Sequence, residues 1–176
     1  DLRQFGIEQS PEKIRRLWIM LAHSHGQVIN YSKLGQSLDQ THPTVKSYID
    51  ILTSTFMVRK LLPFEVNTKK RLVKSPKVYI RDSGILCHLL DIRDFDSLFN
   101  HPSYGSCWEG LALENILSIL NPKSMVGFYR SHSGEELDLL FEWNRKRFGI
   151  EFKVSSNPKL TKQNLEPMKT LKLDHL

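Results

Sequence analysis

The sequence predicts an α/β chain in two modules, a helical one carrying a basic ribbon and a second in which a helix covers antiparallel strands. Three observations predict it. Apolar residues recur at helical spacing three times before residue 55, alternating strands flank Asn144-Arg145 later on, and the chain of 176 residues is long enough for two small domains. The division is drawn at residues 1–75 and 76–176.

Ser10-Pro11-Glu12 opens the first helix as N-cap, N1 proline and first-turn acid, and Ile14, Leu17, Trp18 and Leu21 line one face of it. Asn30 caps a second short helix with Tyr31, Leu34 and Leu38 on one side. His42-Pro43 opens a third, whose buried stripe is Val45, Tyr48, Ile49 and Leu52. Phe56 to Leu61 and Val66 form short strands around Pro63. Helix, helix–turn–helix and ribbon make a winged helix, whose third helix would enter a DNA major groove with His42, Thr44, Lys46, Ser47 and Asp50 outward. From Arg59 to Arg81 the cations Lys60, Lys69, Lys70, Arg71, Lys74 and Lys77 add a stripe able to neutralise phosphates, with Glu65 and Asp50 as the acids nearby. Thr44, Lys46, Lys69, Lys70, Arg71, Lys74 and Arg130 are the expected DNA contacts. A winged helix also serves as a protein-binding spacer, and a charge run is often a solvated face.

In the second half a strand runs from Lys77 to Ile80, and Asp82-Ser83-Gly84 caps a helix through Leu90. The polar stretch from Asp91 to Ser106 separates these from a helix over about 106–120. There Ala112, Leu113, Ile116 and Leu120 follow Glu109 by three, four, seven and eleven residues, placing this acid in an apolar stripe, where an unpaired carboxylate is costly. Strands are expected over 125–130, 136–143 and 146–154. If Asn144-Arg145 is a tight loop, paired positions sum to a constant, and Asp138 faces Glu151. Two facing carboxylates repel unless a cation lies between them. The oxygen ligands Asp138, Glu151 and Glu109 suit Mg²⁺ or Mn²⁺, and Lys153 shares the face of Glu151. Catalytic roles would fall to Glu109, Asp138, Glu151 and Lys153, with the Phe152 carbonyl as a further ligand.

Glu109, Asp138 and Glu151-Phe152-Lys153 together resemble the signature of the PD-(D/E)XK nuclease superfamily, with its restriction-endonuclease-like αβββαβ core. The stretch from Tyr129 to Asp138 is similar to the region before the catalytic hairpin of archaeal Holliday junction resolvases. Residues 70–79, Asp82-Ser83-Gly84, Trp108-Glu109-Gly110 and Ile150-Glu151-Phe152-Lys153 resemble the C-terminal region of a family of bacterial and archaeal AAA+ ATPases, where a winged helix precedes a domain of unknown function. That resemblance implies a DNA-binding region with an Mg²⁺-dependent phosphodiesterase site, or else a non-catalytic accessory region that binds DNA or protein. It implies an ATPase module in the same full-length polypeptide. Leu137 stands where the superfamily often has proline, and the core reads as truncated, ending at Leu176 before an obvious last strand. Gln163 follows in a helix after Pro158.

The net charge of +6 and a pI near 9.3 favour nucleic acid as partner. No apolar run reaches the ~20 residues of a membrane helix, so a cytoplasmic location without a membrane partner is expected. Cys87 and Cys107 have no metal or redox spacing and read as small hydrophobes. No Gly-rich phosphate loop is present, so no ATP site is expected in this chain. Arg130 reads as a phosphate or ion-pair partner, His132 as a solvated turn residue, and Trp108 and Trp143 as packing residues. Asp1 rather than Met at the first position suggests processing or a piece of a longer chain.

Overall fold

The computed structural model describes residues 10–64, 72–155, 157, 159 and 162–176. It is a mixed α/β structure with two three-stranded antiparallel sheets and, among the described residues, seven helices. Lys69, Lys70, Arg71 and Val66 lie outside the described residues, as does the Gln163 side chain.

The first three helices follow their apolar spacing. Helix α1 (Pro11–His23) buries Ile14, Leu17, Leu21 and Ala22, and α2 (Tyr31–Leu38) buries Leu34, Gly35 and Leu38. Helix α3 (His42–Ser54) buries Val45, Tyr48, Ile49 and Leu52. Asn30 accepts from Lys33 N at 3.0 Å and caps α2, whereas Ser10 makes no cap bond because its hydroxyl donates to Glu12 at 2.6 Å. Strands β1 (Gln27–Val28), β2 (Val58–Leu61) and β3 (Lys77–Ile80) form the first sheet in the order β1–β3–β2. The sequence division at residue 76 puts residues 77–80 in the second module. They are instead the central strand here, with Val28 and Leu61 both opposite Lys77. Helix α4 (Ser83–Leu89), capped by Asp82 through Ile85 N at 2.7 Å, packs Leu86 into the same core as α1 to α3. Within the stretch read as a polar separator lies a short helix, α5 (Phe95–Phe99), capped by Asp94.

Helix α6 (Tyr104–Ile119) begins two residues earlier than expected and lies against the second sheet, β4 (Val126–Arg130), β5 (Glu136–Trp143) and β6 (Lys146–Ile150). Asn144 and Arg145, with φ of 50° and 63°, form the two-residue loop, the double positive φ of a type I′ turn. Trp143 faces Lys146 and Leu139 faces Ile150, the register expected from that loop. The ladder stops at Ile150, short of the expected 154, because the Phe152 amide turns to the Asp138 carboxylate at 3.1 Å. Val154, past the end of the ladder, is exposed. Helix α7 (Lys162–Leu171) packs on the far face through Leu171, and the chain end returns to β6 through a parallel bridge between His175 and Phe148.

One irregularity in the second sheet decides where the acids point. Gly127 pairs with Leu140 but Tyr129 pairs with Leu137, so Asp138 and Leu139 together oppose Phe128. This is a β-bulge, which breaks the two-residue alternation and re-aims a side chain. Leu137 and Leu140 consequently both face α7, while Leu139 and Phe141 face α6. Asp138, next to Leu139 in the bulge, turns toward the α6 side instead of joining Leu140.

Candidate functional site

The bulge, α6 and β3 together build a buried charged cluster. Glu109 descends from α6, Asp138 rises from the bulge, and Glu136 lies at the start of β5. Between them sits the ammonium of Lys77, a side chain only 3% exposed. Its Nζ donates to Asp138 Oδ1 at 2.9 Å and to Glu109 Oε1 at 3.4 Å, and forms an ion pair with Glu136 at 3.0 Å. An ammonium has three N–H donors, so three carboxylates satisfy it completely. The Phe128 ring, 5.7 Å from Nζ, adds a favourable electron-rich face.

Other donors also reach these carboxylates. The Tyr79 hydroxyl donates to Glu109 Oε1 at 2.6 Å, and the Phe152 amide takes the second oxygen of Asp138. Glu151 accepts from Lys153 at 2.6 Å through Oε1, while its Oε2 is buried without a partner. Burial pulls the Lys77 pKa down, but Glu109, Asp138 and Glu136 outweigh it and hold the ammonium above the ordinary lysine value. Burial pushes Glu109 up, opposed by Lys77 and reinforced by Asp138. Burial also raises Glu151, against the hydrogen bond from Lys153, and Asp138 raises it further. Lys153 is raised chiefly by that same hydrogen bond.

Behind Glu109 the backbone comes close from two sides. Gly26, at φ +76°, would place a Cβ 3.6 Å from both Glu109 carboxylate oxygens. Gly110, the residue after Glu109, would place one 2.1 Å from Nε2 of His25, a ring 3% exposed whose Nδ1 accepts from Ile80 N at 3.0 Å. Gly110→Ala is therefore expected to cost about 1–3 kcal/mol through overpacking. Urea unfolding of the variant would measure it, and a loss within experimental error would contradict this contact.

Four residues expected at the site, Glu109, Asp138, Glu151 and Lys153, come together. Lys77, Tyr79, Glu136 and His25 were not foreseen there. Lys77, expected in the phosphate-binding stripe, is buried. It lies in Lys77-Val-Tyr-Ile, a strand with every residue buried, and no local sequence signal marks it as such. Three further cations of that stretch are also committed. Arg59 and Arg81 both pair with Glu114 of α6, Arg59 Nη2 at 2.8 Å and Arg81 Nε at 3.2 Å, and Lys60 pairs with Asp50. Among the expected DNA contacts, Lys46 and Lys74 are exposed. Thr44 is half-buried, its hydroxyl 2.8 Å from that of Thr41 in the α3 cap. Arg130 pairs with Glu136 at 3.5 Å and borders an open pocket with Gln27, Val73 and His132. His132 is exposed, and Cys107 is buried in the first core. Trp108 and Trp143, expected to be packed, are each about half exposed.

The residues do not fit the divalent cation expected here. Mg²⁺ needs oxygens at about 2.0–2.1 Å around an open centre, and the Lys77 ammonium with its three N–H bonds takes that centre. Among the described residues no group of three or more His, Cys, Asp or Glu side chains is placed to hold a metal ion.

A family model described as "Domain of unknown function (DUF8612)" matches residues 1–96, over half of the chain. The chain belongs to that family. The DUF8612 stretch takes in β3 and α4, in keeping with their packing on the first core, and a second model, "Domain of unknown function (DUF4143)", matches residues 104–174, from α6 onward. Two curated relatives are each 38% identical over all 176 residues: "Uncharacterized protein Mb2031c" of Mycobacterium bovis and "Uncharacterized protein Rv2008c" of Mycobacterium tuberculosis. The chain spans 40% of the length of each, so it corresponds to part of a larger protein there. No solved structure matches it. No described helix is long and apolar enough to cross a membrane.

Proposed function

We propose that this DUF8612–DUF4143 chain is the DNA-contacting, non-cleaving region of a larger ATPase-family protein, a winged helix fused to a PD-(D/E)XK-like half. One observation carries the reading. Helix α3 buries its whole apolar stripe against α1, α2 and the β1–β3–β2 sheet, leaving Lys46 and Ser47 on an exposed outer face. A helix held this way in a helix–turn–helix with a ribbon presents its outer side to the major groove. The order α6–β4–β5–β6–α7, followed by the His175 bridge to β6, supports the nuclease-like half. The ATPase partner rests on the sequence resemblance together with the greater length of the relatives.

Duplex DNA affinity measured against salt tests this. Arg59, Lys60, Lys77 and Arg81 are held by acids, so the phosphate contacts fall to Lys46, Lys74 and the cations at 69–71. If about four phosphates are engaged, log K against log salt should slope near −3.6, and Lys46→Ala should flatten it by about 0.9. Affinity indifferent to salt, or a slope unchanged in the variant, would remove DNA from the account of α3.

A second reading, Mg²⁺- or Mn²⁺-dependent phosphodiester cleavage, is favoured by one observation, the buried and unpartnered Oε2 of Glu151 beside Asp138. Lys77 stands against it. The expected outcome is that folded protein leaves linear, flapped and four-way DNA intact with either metal. Cleavage of any of these, lost in Asp138→Ala, would make the enzyme reading the right one.

A further inference from the structure

We infer that Lys77 is the permanent cation of the nuclease-like carboxylate cluster, a built-in substitute for a divalent metal supplied across the module boundary by β3. The inference stands independently of DNA contact by α3, since it rests on the cluster alone.

Stoichiometry, position and rigidity support it. The three donors of Nζ meet three carboxylates, of Asp138 at 2.9 Å, Glu136 at 3.0 Å and Glu109 at 3.4 Å. These include two of the acids that an oxygen-ligated metal would need. The ammonium is thus at the shared focus of the acids rather than beside it. Lys77 also belongs to the middle strand of a sheet, with partners on both edges, so its Cα is fixed. Its side chain is buried, and Nζ ends over the ring of Phe128. Removing Nζ to admit a metal would bury an unpaired charge elsewhere or require β3 to leave its sheet. A side-chain cation also differs chemically from a metal ion. It cannot bind and acidify a water, so the cluster serves as a joint between the modules and not as a hydrolytic centre.

The test is titration of the whole chain with MnCl₂ and MgCl₂, followed by calorimetry and thermal unfolding. The wild type should show no saturable binding and no rise in Tm at millimolar metal. Lys77→Met vacates the focus while keeping the chain length, and should gain saturable Mn²⁺ binding, at least about tenfold tighter than any residual wild-type affinity. Its Tm should rise with the metal, and adding Asp138→Asn should abolish the gain. Wild-type binding at submillimolar Mn²⁺ that Asp138→Asn removes would overturn the inference. So would a folded Lys77→Met chain that acquires no metal affinity.

Reductive methylation of the native wild type keeps the inference testable even if Lys77→Met does not fold. Lys77 should stay unmodified while Lys74 reacts, becoming reactive only when the chain unfolds. Native-state modification of Lys77 at the rate of Lys74 would show the ammonium to be displaceable, and the inference would fail. A negative result in these metal experiments leaves the DNA-binding reading untouched, since that stands or falls on the salt dependence of Lys46→Ala.

Discussion

Replacement of Lys77 by alanine is expected to lower the unfolding free energy by about 3–5 kcal/mol, the cost of removing one partner from a buried ion-pair network. Lys77 is 3% exposed, and the Asp138 and Glu109 side chains are 11% and 16% exposed, so solvent cannot replace the lost charge. Three carboxylates would be left close together, with the Tyr79 hydroxyl, the Phe152 amide and, on the outer Glu136, Arg130 as their remaining partners. Part of the loss should return when a second charge is removed. Glu109→Gln in the Lys77→Ala background should cost less than Glu109→Gln alone, with a coupling energy of about 1–3 kcal/mol. Urea unfolding of the four members of this cycle measures both quantities. A loss below about 1 kcal/mol, the range of exposed salt bridges, would mean that the cluster is open to water. Folded domains are stable by about 5–15 kcal/mol, so the variant should remain folded but weakened.

Acid should weaken the fold through His25. Burial, outweighing the Ser106 backbone and Glu114, lowers its pKa to about 4 from the ordinary 6.5. As pH falls below 6.5 the unfolded chain takes up a proton that the folded chain refuses until about pH 4. Stability is therefore full above about pH 6.5, declines with falling pH, and has lost about 3 kcal/mol once the folded-state value is passed. Glu109 and Glu151 act in the opposite sense. Their raised values let the folded state bind protons first and gain stability as pH falls. The difference between the wild type and His25→Asn isolates the histidine, because the carboxylates are common to both. An asparagine oxygen can still accept from Ile80 N. Urea unfolding from pH 7 to 4.5 should show the wild type losing stability relative to the variant, and parallel profiles would contradict a buried neutral imidazole.

Much of the architecture was legible because short-range patterns determine it. Three apolar stripes marked α1, α2 and α3, and Asn30 and Asp82 marked the starts of α2 and α4. The two-residue loop at Asn144-Arg145 set the β5–β6 register, since a tight turn leaves one pairing possible. Features that depend on long-range contact were not legible. Nothing local to Lys77-Val-Tyr-Ile shows that it enters between β1 and β2, 16 or more residues from either. Lysine in a strand reads as exposed unless its counter-charges are known, and those counter-charges lie on two other elements. The same holds for Arg59 and Arg81, whose partner Glu114 is on α6. The bulge at Asp138 was hidden because strict alternation is the default reading of a strand. It brought Asp138 to the side of Glu109, whereas alternation would have grouped it with Leu140. The convergence of Glu109, Asp138, Glu151 and Lys153 was thus expected from their spacing and resemblance, but the cation at its centre was not.

The distance in sequence between Lys77 and Asp138 has a consequence for the nascent chain. The lysine leaves the ribosome 61 residues ahead of the carboxylate it binds most closely. At about 5–20 residues per second, that interval is roughly 3–12 s. During this time β3 has β1 and β2 available to pair with, yet seating it would bury an ammonium that has no acid to meet until Glu109 follows 32 residues later, and only that one until Glu136. Vectorial synthesis should therefore hold the first sheet in an open, incompletely docked form until the β4–β5 hairpin has emerged, after which both halves close together.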